Sequence, residues 1–150
     1  RLIRRQRQMC KETDYQPENR FDLIVSNPPY FIDALKCPDE QRCTARHAGN
    51  LNYDLLFHRS ASLLEEQGVV SIIIPAEAEK TVVDTAWNHK LFPLHRVQVF
   101  TKPGKPCRRV LLNFGFEAKE CREEKLCIEV NHNEFTPEYV ALTKDFYLKM

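Results

Sequence analysis

The chain is poor in glycine: Gly49, Gly68, Gly104 and Gly115 are all it has, and none stands in a G-x-G pattern. It therefore holds no Gly-rich turn of the kind that lets backbone close on a cofactor. No apolar run approaches the roughly 18 residues of a membrane-spanning helix, and Arg1-Leu2-Ile3-Arg4-Arg5-Gln6-Arg7 lacks the apolar stretch of a signal peptide, so the expected location is cytoplasmic and no membrane partner is expected. None of the six cysteines (Cys10, Cys37, Cys43, Cys107, Cys121 and Cys127) stands in a C-x-x-C pair. They are read as reduced thiols, and Cys37 and Cys43 with nearby His47 lack the second close pair of a structural zinc site, so no metal is expected. A preponderant charge is missing too: 22 Lys and Arg against 21 Asp and Glu leave a net charge of +1, and no global field announces a polyanion.

What is present is a 150-residue chain, 43% hydrophobic and 29% charged, enough for the core of one domain. Basic residues gather locally. Arg1, Arg4, Arg5 and Arg7 form one group, Lys36, Arg42, Arg46 and His47 a second, and Lys102, Lys105, Arg108 and Arg109 a third around a Pro-Gly turn. Each group taken alone reads first as a solvated face; two of them flanking a base pocket shift the reading toward phosphate contacts.

Periodicity orders the elements. Residues 21–27 read as a buried strand, followed by a loop to about Asn50. Tyr53, Leu56, Phe57, Ser60, Ala61 and Leu64 recur at helical spacing, with Asn50 or Asn52 as cap and Gly68 as the expected stop. Residues 69–74, Val-Val-Ser-Ile-Ile-Ile, predict a central strand covered on both faces, and 76–91 a second helix. Residues 95–100 and 109–116 read as strands, and the intervening Lys102-Pro103-Gly104-Lys105-Pro106 is too short for a crossover helix, so they are expected to be antiparallel neighbours. Residues 126–130 predict a further strand and 137–148 a terminal helix capped by Thr136.

The first of these strands ends in Asn27-Pro28-Pro29-Tyr30. The Asn27 side-chain oxygen and the Pro28 carbonyl are both acceptors, while the two prolines fix the backbone and remove competing N–H donors, so the acceptors can converge on one planar NH2 group. Tyr30 offers a ring face for stacking. The plainer alternative is a strand running into a Pro-Pro turn. If the acceptors do hold an amine, they push its nitrogen toward tetrahedral geometry and aim its lone pair, and no strong general base is needed. His47 and His58 are given no catalytic role, and Asp54 is assigned to the helix N-terminus rather than to substrate.

Residues 21–31 resemble the catalytic motif of S-adenosylmethionine-dependent amino-methyltransferases. With Lys36-Cys37-Pro38-Asp39-Glu40-Gln41-Arg42-Cys43-Thr44-Ala45-Arg46-His47, Thr101-Lys102-Pro103-Gly104-Lys105-Pro106 and Asp145-Phe146-Tyr147-Leu148-Lys149-Met150, the chain resembles the bacterial tRNA1(Val) adenine-N6 methyltransferases. The resemblance implies an α/β fold: the C-terminal half of a Rossmann-like class I methyltransferase sheet, parallel strands with a terminal antiparallel hairpin. Residues 1–20 would be a lead-in segment and 21–150 the C-terminal part of a single methyltransferase domain. It also implies S-adenosyl-L-methionine as cofactor and catalytic roles for Asn27, Pro28, Pro29 and Tyr30, with Asn27 also touching the cofactor. Phe31, Arg42, Arg46, His47, Lys102, Lys105 and Arg108 would contact RNA, the target being an exocyclic adenine amine in a tRNA anticodon loop or other structured RNA.

The Gly-rich turn and ribose-binding carboxylate implied by that family are not found in these residues, so the chain is expected to be the C-terminal part of a longer protein and to bind the cofactor weakly on its own. Two alternatives remain open at this stage: methylation of a glutamine amide in a translation release factor, and a non-catalytic RNA-binding module.

Overall fold

A computed structural model describes residues 19–28, 53–131 and 134–146. The run Phe-Asp-Leu-Ile-Val-Ser forms β1 (Phe21–Ser26), and α1 (Tyr53–Leu63) leads without a break into β2 (Leu64–Pro75). A short 3-10 turn, Ala76–Ala78, opens onto α2 (Glu79–Asn88), then β3 (Phe92–Phe100) and β4 (Arg109–Gly115). β5 (Arg122–Cys127), the short strands β6 (Glu129–Asn131) and β7 (Glu134–Phe135), and α3 (Pro137–Thr143) follow. Among the described residues the main sheet has the order β1-β2-β4-β3-β5, with β6 and β7 paired apart from it. β1 runs parallel to β2, β4 is antiparallel to both β2 and β3, and β5 is parallel to β3. The strand, helix, strand, helix, hairpin expectation and the antiparallel 95–116 pair are borne out.

The core lies on one face of the sheet. Val70 pairs with Phe114, Ile72 with Leu112 and Ile74 with Val110, and all six are buried under Phe57 of α1 and Ala78, Val82 and Ala86 at and in α2. Phe57 meets Phe114 edge to face at 5.2 Å between centroids. Each large apolar side chain fully buried here contributes about 1.5–3 kcal/mol, so these cross-strand pairs and two helices hold the frame.

Six expectations change in detail. β1, expected to be a buried strand, has no buried residue: Ile24 and Ser26 are half-buried and the rest exposed, because β1 is an edge of the sheet among the described residues. The terminal helix expected over 137–148 closes at Thr143. β2 is not covered evenly: Val70, Ile72 and Ile74 are buried, whereas Val69, Ser71 and Ile73 on the opposite face are half-buried among the described residues. Gly68 does not stop α1 but lies within β2, at a jump in register where Phe21 pairs with Leu64 and Leu23 with Val69. A Cβ at Gly68 would come within 2.9 Å of the Phe21 carbonyl oxygen, so the close approach of β1, rather than a helix end, requires glycine.

The second helix closes at Asn88, short of Leu91. Leu91 N–H donates to Ala86 O and Lys90 N–H to Trp87 O, both at 3.0 Å, with Lys90 at φ 58°. That is a Schellman closure with lysine in the left-handed position usually given to glycine. The strand expected at 126–130 begins earlier, at Arg122, and breaks at Ile128 before β6. Thr136 caps α3 as expected, its hydroxyl accepting from Tyr139 N–H at 3.2 Å.

Candidate active site

β1 delivers Asn27 and Pro28 to the end of the sheet where its parallel neighbour also finishes. Ser26 is opposite Ile72, three residues before β2 ends at Pro75. Asn27 is exposed and Pro28 fully buried. A buried proline with fixed φ directly after the asparagine gives the site a stiff base from which a polar group is presented. Pro29, Tyr30, Phe31, Arg42, Arg46 and His47 lie outside the described residues.

The hairpin between β3 and β4 belongs to the same end of the sheet. Pro75 pairs with Arg109 and Arg109 with Val99, while Ala76 N–H donates to Arg108 O at 3.3 Å. Strands lie about 4.8 Å apart, which puts the β3 terminus laterally some three strand spacings from β1. Lys105 N–H donates to Lys102 O at 3.2 Å, and Gly104 has φ 73°. With Pro103 second and Gly104 third, this has the pattern of a type II turn.

The four basic residues of the turn differ. Lys102 is engaged with Glu129 at 3.1 Å, an ion pair without hydrogen-bond alignment. Lys105 and Arg108 are exposed and make no ion pair among the described residues. Arg109 is half-buried, its guanidinium donating to Arg108 O at 3.1 Å. A cleft of about 710 Å³ opens beside the turn, lined by Phe100, Lys102, Gly104, Lys105, Lys125 and Cys127 with Pro103 and Pro106.

Two polar ties fix the frame behind this edge, and the sequence offered no signal for either. Arg96 on β3 makes a two-pronged contact with Glu79 at the start of α2, through Nε to Oε1 and through the terminal nitrogen to Oε2 at 2.9 Å. The hydrogen bond that Arg96 donates to Glu79 holds the Arg96 pKa above its ordinary value. Asp54 at the start of α1 meets His89 Nε2 at 2.7 Å, just past α2. Asp54 thus has a structural partner, in keeping with its assignment away from substrate. Cys107, Cys121 and Cys127 are free thiols, and burial pushes the Cys121 thiol pKa up. No helix among the described residues is long and apolar enough to cross a membrane.

The profile of the family described as Eco57I restriction-modification methylase matches residues 2–85, more than half of the chain. Among curated proteins, the tRNA1(Val) (adenine(37)-N6)-methyltransferase of Bacteroides fragilis is 47% identical over 131 residues, covering 87% of this chain and 55% of the relative. The protein of the same name from Phocaeicola vulgatus is 45% identical over 136 residues, covering 91% and 58%. The chain thus spans little more than half the length of these relatives. A crystal structure described as a predicted O-methyltransferase from Agrobacterium tumefaciens superimposes with a TM-score of 0.62 at 16% identity, over 85% of this chain and 53% of that one; at that identity it supports the α/β methyltransferase fold alone.

Proposed function

The chain belongs to the family described as Eco57I restriction-modification methylase, and we propose that within it this chain is the C-terminal part, with residues 1–20 a lead-in segment, of an S-adenosylmethionine-dependent methyltransferase acting in the cytoplasm on the exocyclic amine of adenine in tRNA. The observation that carries the reading is the meeting of two features at one sheet end. β1 brings Asn27 and Pro28 there, and the β3–β4 turn brings Lys105 and Arg108. The B. fragilis and P. vulgatus relatives, named as tRNA adenine methyltransferases, support RNA over DNA as substrate.

The exocyclic amine of adenine is a poor nucleophile because its lone pair is delocalised into the ring. Asn27 Oδ1 and the Pro28 carbonyl each accept one of its N–H groups, which localises the lone pair and aims it. Burial of Pro28 keeps its carbonyl where folding put it, so little ordering is left to the moment of reaction. Tyr30 and Phe31 stack on the adenine ring, splayed from a loop rather than flipped from a duplex. S-adenosylmethionine, when bound, supplies the electrophilic methyl group. The exposed Asn27 fits one border of a cofactor and amine site; the remaining cofactor contacts are assigned to residues beyond this chain. Arg42, Arg46, His47, Lys102, Lys105 and Arg108 hold RNA phosphates around the pocket, Lys102 less strongly because Glu129 already engages it.

The test is to incubate a protein of the relatives' full length containing this chain with methyl-labelled S-adenosylmethionine and total tRNA, rRNA, DNA and protein, then separate the fractions. Label in tRNA is expected. Label in the DNA fraction would move the substrate to that of a restriction-modification methylase, and label in protein would favour glutamine-amide methylation.

A further inference from the structure

We infer that the cleft between the β3–β4 turn and strand β5 is a binding site for a single-stranded RNA nucleotide flanking the target adenine, with Phe100 as the stacking surface and Lys125 and Lys105 as the phosphate contacts. This rests on the RNA-methylating reading above and adds to it a wall that lies on β5, outside the turn. Phe100 pairs with Cys127 and Gln98 with Lys125 in the parallel β3–β5 ladder, so Phe100, Cys127 and Lys125 share one sheet face. The ladder continues past the strands: Ile128 N–H donates to Phe100 O at 2.9 Å and Glu129 N–H to Thr101 O at 3.0 Å. The floor is thereby joined to the turn as one hydrogen-bonded piece.

The chemistry selects the ligand. The cleft, about 710 Å³, is within the roughly 300–1,000 Å³ of small-ligand sites. Its walls combine an aromatic ring, two prolines and three lysines. Glu129 engages Lys102 and cancels its charge locally, while Lys105 and Lys125 are exposed with no ion pair among the described residues. Two uncompensated cations around a ring and an apolar rim match a base with its two flanking phosphates, and stacking makes such a site tolerant of base identity. The type II turn presets Lys105, so little chain ordering accompanies binding.

The test uses a protein of the relatives' full length containing this chain and an unmodified tRNA anticodon stem-loop. Lys125→Ala should lower the slope of log affinity on log salt by about 0.7, the value for one single-strand phosphate contact. Phe100→Leu, which keeps an apolar floor but removes the ring, should raise the Kd about 5- to 150-fold. As a readout that needs no variant, the stem-loop should slow alkylation of Cys127 by N-ethylmaleimide, read by peptide mass spectrometry, relative to Cys121 at the far end of β5. A protein that methylates the stem-loop while Cys127 stays unshielded and the Lys125→Ala slope is unchanged would overturn the cleft and leave the methylation reading standing. A protein that neither methylates the stem-loop nor shields Cys127 would overturn both.

Discussion

The two edges of the main sheet are built from opposite materials. At one, β1 exposes Leu23 and Val25, 57% and 71% accessible, beside an apolar groove of about 350 Å³ lined by Phe21, Leu23, Ile24, Leu56, Arg59, Ser60 and Leu63. At the other, β5 opens Arg-Glu-Glu-Lys, with Arg122, Glu123 and Lys125 exposed. Charged edges are how sheets refuse further strands, whereas an apolar edge has the composition of an interior strand. The chemistry divides in the same way. Asn27 extends from the apolar edge and the basic cleft borders the charged one, so catalysis and RNA grip are expected to be separable by mutation.

The largest expected effect breaks that division at the β1 end. Asn27→Ala should cost about 2–4 kcal/mol of transition-state stabilisation in the full-length protein, read as a fall in kcat with little change in Kd for tRNA. Loss of tRNA affinity with kcat preserved would assign Asn27 to the grip instead. Next, Gly68→Ala should destabilise the chain by about 1–3 kcal/mol, because Leu64 can turn aside but the Phe21 carbonyl at 2.9 Å cannot. A lowered denaturation midpoint would show it, and an unchanged one would mean that β1 is not fastened as described.

The edges themselves can be exchanged. Replacing Leu23 and Val25 with lysine should weaken self-association of the 150-residue chain about tenfold, and Glu123→Val with Lys125→Val should strengthen it. Sedimentation at several concentrations distinguishes these, and no response at either edge would remove the contrast. Smallest is Lys90→Gly behind both edges, expected to stabilise by about 0.4–1 kcal/mol, since only backbone strain at φ 58° is relieved. Thermal unfolding measures it, and a lower Tm would argue that the lysine side chain contributes there.

The same contrast explains what could be read in advance. The apolar part of β2 was legible because its side chains are chosen by burial, β1 because its apolar run has the composition of an interior strand although Leu23 and Val25 are exposed, and the β3–β4 pairing followed from the length of its turn. β5 was visible only from Leu126 onward, since an edge strand selects charge and Arg122-Glu123-Glu124-Lys125 looks like a loop. The start of β2 was hidden for a related reason: Glu65-Glu66-Gln67 is exposed, and Gly68 after it imitates a helix stop. The end of α2 was missed because its closing residue is Lys90, which carries no glycine signal. At the site, Asn27 and Pro28 were legible as a motif. The Arg96–Glu79 tie and the Lys125 wall were not, because they join residues brought together only by sheet order.

The claim that two acceptors hold an exocyclic NH2 is tested most directly by the product. After reaction of the full-length protein with unmodified tRNA, digestion to nucleosides and mass spectrometry against standards should give N6-methyladenosine. A product methylated on a ring nitrogen or carbon of adenine would contradict the account, because neither atom offers the paired N–H donors that Asn27 and Pro28 are proposed to receive.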